Sequence, residues 1–232
     1  MAVGFNSHTL ITGSASSTGS QSFNCGAGAN FLVVFVAVRA TIAGETCTFN
    51  GVSMTELPGM PINASGVVYE TAFYLVNPAP GTNALSVSWT NSGNYGVLVM
   101  SFSGAAGTIS SLQTTTGNGA TISQSVTSSA PSLVVTGQTN SGGAVTALTG
   151  GTIVDNGAQG GNTWMADGYY AGASSVSVSW SQGSGFYTSI AFSIDPLITI
   201  PGNSFPDFIF RKFGVVAYRL IELFGWLAPV RG

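Results

Sequence analysis

The chain has 232 residues, 44% hydrophobic but only 6% charged, with a formal net charge of −3. An ordinary soluble domain carries about 25% charged residues, so Ser, Thr, Asn and Gly must supply most of the polar surface. That balance argues against a free monomer and for a subunit of a symmetric assembly or particle.

The N-terminal stretch MAVGFNSHTLITGSASSTGS has no basic n-region and no apolar h-region, so no secretory signal peptide is expected. Cys25 and Cys47 fit no metal or redox spacing. They are expected as two buried free thiols, with a bridge between neighbouring strands as the alternative. Residues 31–38, FLVVFVAV, form a continuous apolar run, which fits a strand buried on both faces or one in the middle of a sandwich. Residues 46–49 followed by Asn50-Gly51 predict a strand and a tight turn, because Asn-Gly tolerates the positive φ angles that hairpins need. A strand over 67–76 is expected to stop at Asn77-Pro78, where proline lacks a ladder donor. Residues 85–89 alternate, with Leu85, Val87 and Trp89 on one face; a turn at 91–94 and a returning strand at 96–102 are predicted next.

The second half of the chain echoes the first in the same order. Ser20-Gln-Ser-Phe23 is matched by Ser123-Gln-Ser-Val126, and Leu32-Val-Val34 by Leu133-Val-Val135. Ser86-Val-Ser-Trp89 is matched by Ser177-Val-Ser-Trp180, and Ser101-Phe-Ser103 by Ala191-Phe-Ser193. The expectation is an all-β, jelly-roll-like two-sheet sandwich over residues 1–196, built from similar halves at about 1–104 and 105–196. Two tandem immunoglobulin-like sandwiches of about 100 residues each are the alternative. A linker over 197–204 and a C-terminal amphipathic helix over 205–232 complete the organisation.

Enzyme readings fail on inventory. His8 is the single histidine, no G-x-S-x-G elbow is present, and no P-loop or dinucleotide fingerprint occurs. The chain is therefore expected to be no enzyme, with no catalytic residues, metal or cofactor. Asp155-Asn156-Gly157 reads as a turn, with calcium binding as the weaker alternative. Trp89 and Trp180 are expected in the core. Tyr95, Trp164, Tyr169, Tyr170 and Tyr187 lie near loops or turns and are the candidates for stacking on a sugar ring.

The last 22 residues hold four of the five bases: Arg211, Lys212, Arg219 and Arg231. Phe213, Val216, Leu220, Leu223 and Leu227 follow heptad spacing. Phe210, Ala217, Ile221, Phe224 and Ala228 form a second apolar stripe. A helix of about 24 residues would be ~36 Å long. Burying about eight large side chains is worth on the order of 10–20 kcal/mol before entropy costs. The stripes call for protein partners, and the bases form only a thin polar strip between them. That placement argues against nucleic acid. A membrane interface and packing over its own sandwich are the less favoured alternatives for the same helix, and a transmembrane span is disfavoured by the interrupting charges.

The series LVVFVAV, CTFNGVSMTEL, YLVNPAPGTNALSVSW, VLVMSFSG, SLVVTG and SSVSVSWSQGSGFYTSIAFSID resembles a β-sandwich module of bacterial surface proteins and phage virion structural proteins. The resemblance spans roughly residues 5–195 and implies fold and setting rather than chemistry. Function is accordingly expected to be that of a virion structural protein, a capsid decoration or tail/fibre-type subunit. Its expected partners are copies of itself, with a trimer favoured, and other capsid or tail proteins. A carbohydrate-binding adhesin recognising a host-surface glycan is the first alternative, and a surface protein anchored at a membrane interface the second. The expected location is the virion, after synthesis in the host cytoplasm.

Overall fold

The computed structural model describes residues 1–160 and 163–198, and among them the fold is all-β. The first half forms β1 (Gly4–Cys25), β2 (Phe31–Val38), β3 (Thr46–Phe49), β4 (Val52–Ser53), β5 (Thr55–Glu56), β6 (Ile62–Ala64), β7 (Val68–Val76) and β8 (Gly81–Ser103). The second forms β9 (Ala105–Val126), β10 (Leu133–Asn140), β11 (Val145–Leu148), β12 (Thr152–Gly160), β13 (Thr163–Ala171) and β14 (Val176–Pro196). The helix expected over 205–232, with Phe210, Phe213, Val216, Ala217, Leu220, Ile221, Leu223, Phe224 and Leu227, lies outside the described residues.

Each half makes one complete antiparallel sheet. The first runs β4-β3-β8-β2-β7-β5, with β1 also on β8 and β6 on β7. The second runs β11-β14-β10-β13-β12, with β9 also on β14. The common part is identical in order, β3-β8-β2-β7 against β11-β14-β10-β13. Lengths match as well: β2 and β10 have 8 residues each, β7 and β13 have 9, and β1 and β9 have 22.

The long strands decide the architecture. β1 pairs with β8 along its whole length, while β2 takes only residues 95–102 of β8 and β3 only 85–88. Between these stretches the β1 register shifts at Gly13/Ser16 and Ser16/Thr18, and Ala15 has φ 51°. Bulges of this kind bend a strand pair. The paired ribbon folds over, so the two ends of β8 face each other across one core. That core holds Leu32, Val34, Val36 and Val38 of β2 with Phe49, Leu85, Val87, Trp89, Val97 and Val99. Gly93 sits at the bend, where a Cβ would lie 2.9 Å from the Ala40 side chain and 3.1 Å from the Arg39 carbonyl. The turn predicted at 91–94 is therefore a bend within one strand, not a hairpin: the flanking stretches pair with β1 and not with each other. The second half repeats this with β9 and β14, whose register shifts between Ser181 and Gly185. Its core contains Ile122, Val134, Val178, Trp180 and Ala191.

A third core joins the halves. Phe31, Val33, Phe35 and Ala37, the other face of β2, meet Val135, Met165, Ile190, Phe192 and Ile194. All eight residues of β2 are consequently buried, which explains its unbroken apolar run: it separates two cores and has no solvent face. The Asn50-Gly51 turn is present between β3 and β4, with φ 51° and 74°. Trp89 and Trp180 are both buried, at 5% and 0% exposure.

The halves pack through equivalent faces. In the first, Ala37 pairs with Glu70 and Gly96; in the second, Thr139 pairs with Met165 and Thr188 at the same register. Glu70 bonds to Thr188 across the seam, and reciprocally Met165 covers Gly96, where a Cβ would be 2.9 Å from its sulfur. Reciprocal contacts of this form are the mark of a two-fold, isologous interface, here made within one chain.

Candidate functional site

The seam between the halves concentrates the ionisable chemistry. Glu70, on β7, is fully buried and accepts a hydrogen bond from the Thr188 hydroxyl at 2.9 Å. Its Oε1 has no hydrogen-bond partner among the described residues. Burial pushes this carboxyl up to about 8, against the single opposing contribution of the Thr188 bond. Asp167, on β13, is also fully buried, and its Oδ1 accepts the Asp155 backbone N–H at 2.9 Å while Oδ2 is unpartnered. Burial, and then the charge of Asp155, hold Asp167 well above the usual carboxylate range.

At the rim, His8 Nδ1 lies 2.7 Å from Asp155 Oδ2, linking β1 of the first half to β12 of the second. The His8 side chain is 43% exposed and its ring stacks on Phe5, which stacks in turn on Tyr169 with centroids 5.2 Å apart. Asp155-Asn156-Gly157, read from sequence as a turn, is part of β12, with a register shift between Ile153 and Asp155. Sequence reasoning missed this cluster because its members come from four strands. A signal did exist for two of them: Glu70 in VVYETAFYLV and Asp167 in TWMADGYY are lone acids inside apolar strands.

The five aromatic candidates fall on three separate surfaces. Tyr95 is half-buried in the first half's inner core, its ring 5.1 Å from Trp89. Tyr169 faces the seam against Phe5. Trp164, Tyr170 and Tyr187 share the inner side of the second sheet, since Asn140 pairs with Trp164 on one flank and Tyr187 on the other, and Tyr170 follows in the same alternation. Tyr170 is 6% exposed and its hydroxyl accepts the Ser179 N–H at 3.1 Å, so its ring is enclosed. Trp164 and Tyr187 are half-buried, as are Tyr95 and Tyr169, and Tyr187 packs against the inner core of the second half.

The inner core of the second half is more polar than that of the first. Thr136, Gln138, Asn140 and Ser189 stand where the first half has Val34, Val36, Val38 and Val97. They are tied together: Trp180 Nε1 donates to Thr136 at 3.2 Å, Gln124 to Ser189 at 3.0 Å, and Asn140 to Gln138 at 3.3 Å.

The outer faces carry short hydroxyl side chains. Thr18, Ser20, Thr46, Thr48, Ser86 and Ser88 line a shallow groove of about 300 Å³, with Thr46 and Ser88 hydroxyls 2.7 Å apart. Ser123, Ser125, Ser177 and Ser179 occupy the corresponding face of the second half. Among the described residues no group of three or more His, Cys, Asp or Glu side chains is placed to hold a metal ion. Cys25 and Cys47 are free and buried, and burial pushes the Cys47 thiol up to about 12, which leaves it a poor nucleophile. Among the described residues, the class defined by these observations is an all-β fold of two sheets with Ser and Thr rows on the outer faces. Comparison with protein-family models, with curated proteins and with solved structures finds no match.

Proposed function

We propose that the chain is a non-enzymatic structural subunit of a phage-like particle, in which the β-sandwich is the displayed head and the apolar C-terminal segment makes the assembly contacts. The observation that carries this reading is the surface of the head. Both outer faces carry paired rows of Ser and Thr, while two acids, Glu70 and Asp167, are fully buried in the seam between the halves. Such a head is a rigid, chemically quiet block, suited to repeated display on a particle. The finer reading of the sandwich as a jelly-roll-like module of the phage and bacterial-surface kind belongs to this proposal, as do homo-oligomers and capsid or tail proteins as partners. The test compares the full chain with one ending at residue 203 by analytical ultracentrifugation and electron microscopy of particles. The shortened chain should keep its β circular dichroism and lose assembly. Equal assembly by both chains would refute the proposal.

A second reading, glycan binding, is favoured by one observation: Trp164 and Tyr187, both half-buried, flank Asn140 in a single register row. Aromatic faces in one row are suited to stacking on a sugar ring. A glycan array with the full chain and with Trp164→Ala tests it. Binding that vanishes with Trp164→Ala at unchanged thermal stability supports this reading, and absence of binding removes it.

A further inference from the structure

We propose that the seam between the two halves is a proton-gated latch: Glu70 and Asp167 hold the halves together as neutral acids and loosen the contact when they ionise. The geometry is reciprocal and specific. Glu70 projects from the first half onto Thr188 of the second. Asp167 projects from the second half into the same apolar seam, beside Gly137, whose open side is filled by Phe35 of the first half. Each acid has one oxygen with no hydrogen-bond partner among the described residues. A neutral carboxyl tolerates that position, whereas a carboxylate there is a buried, under-solvated charge.

The internal duplication supplies a control. The position equivalent to Glu70 is Met165, and the position equivalent to Asp167 is Ala72. The same fold therefore accepts an apolar side chain at both sites, so neither acid is required for packing. The surroundings decide what can answer the charge. Glu70 faces Thr188 from β14, Ala37 from β2 and Ile62 from β6, none of which titrates. Asp167 faces Gly137 from β10 and Asp155 from β12, and His8 of β1 lies on the far side of Asp155. No cation answers either carboxylate directly among these neighbours, so ionisation is relieved by separating the faces and admitting water.

The test is amide hydrogen exchange on the full chain between pH 5 and pH 9, corrected for intrinsic exchange chemistry. Protection in β7 and β13 should fall by at least about tenfold across this range, while β3 and β11, which lie away from the seam, keep theirs. The variant Glu70→Gln/Asp167→Asn should hold protection flat. Should that variant not fold, Glu70→Met/Asp167→Ala installs the residue types of the opposite half and must show the same flat response. Constant protection in the wild type overturns the proposal. So does a response that persists in the acid variants, or one abolished by His8→Gln, which would place the gate at the rim pair instead.

Discussion

Gly137 and Phe35 form a knob and hole at the centre of the seam, and replacing Gly137 with Ala tests whether the halves are as tightly joined as the geometry requires. A Cβ at residue 137 would stand 2.6 Å from Cδ1, 2.7 Å from Cγ and 2.9 Å from Cε1 of Phe35. The ring is fully buried and packs against Phe192, with centroids 6.2 Å apart. It must therefore move by about 1 Å to restore ordinary van der Waals contact. Overpacking of this kind costs ~1–3 kcal/mol. The backbone at Gly137 is not left-handed, so no φ strain adds to the cost, and the reduced freedom of the unfolded chain returns ~0.4–1 kcal/mol. The net expectation is a loss of about 1–2 kcal/mol, or roughly 2–8 °C in Tm for a domain of this size. Urea unfolding followed by circular dichroism measures it. Phe35→Leu alone should also destabilise. The double variant should recover about 1 kcal/mol relative to the sum of the singles, because the shorter side chain vacates the space the new methyl needs. Strict additivity, or a Gly137→Ala variant as stable as the wild type, would refute the knob-and-hole account.

Two further outcomes follow from the same structure. Glu70 has its folded value raised to about 8 from an ordinary 4.5. The stability linked to it is thus fully present below the unfolded value and lost as pH rises through the folded one. At 1.36 kcal/mol per unit, the loss between pH 5 and 8 is about 3 kcal/mol, and denaturant titrations of Glu70→Gln should lack that slope. Val97→Ser places in the first half the residue that the second half uses at the equivalent position. With hydrocarbon on all sides in place of Gln138 and Gln124, it should cost about 2–4 kcal/mol by calorimetry; a neutral effect would mean that the two inner cores are interchangeable.

Much of the local structure was legible because short-range physics dictates it. The run at 31–38 needed no third dimension to announce a strand without a solvent face, since eight consecutive apolar residues leave no polar side. Asn50-Gly51 specified its turn through the φ angles these residues tolerate. Alternation placed Val87, Trp89, Val178 and Trp180 inward. In both echoed stretches, 86–89 and 177–180, the Val and Trp enter the inner core of their own half. Punctuation was less reliable. Asn91-Ser-Gly-Asn94 and Gly183-Ser-Gly-Phe186 carry the residues of a tight turn, yet they bend continuous strands. A glycine that permits a turn equally permits a bulge, and the choice was made by long partner strands that follow the bend.

The candidate site was the least legible part. Spacing could say that Glu70 and Asp167 interrupt apolar strands, but not that both point into one seam, since the side on which a residue emerges depends on strand register. Nor could it bring His8 and Asp155, 147 positions apart, to within a hydrogen bond. Tyr169 and Tyr170 show the same limit: neighbours in sequence, they face different cores because successive strand residues point to opposite sides. By itself the sequence determined the all-β character of residues 1–196, their internal echo and the identity of their most deeply buried strand, because these follow from local propensity and periodicity. Only the tertiary structure decided that each half closes its own sheet, that the sheets meet through equivalent faces, and that Glu70 and Asp167 lie between them. Those outcomes depend on which surfaces find each other, and that is set by burial summed over the whole molecule.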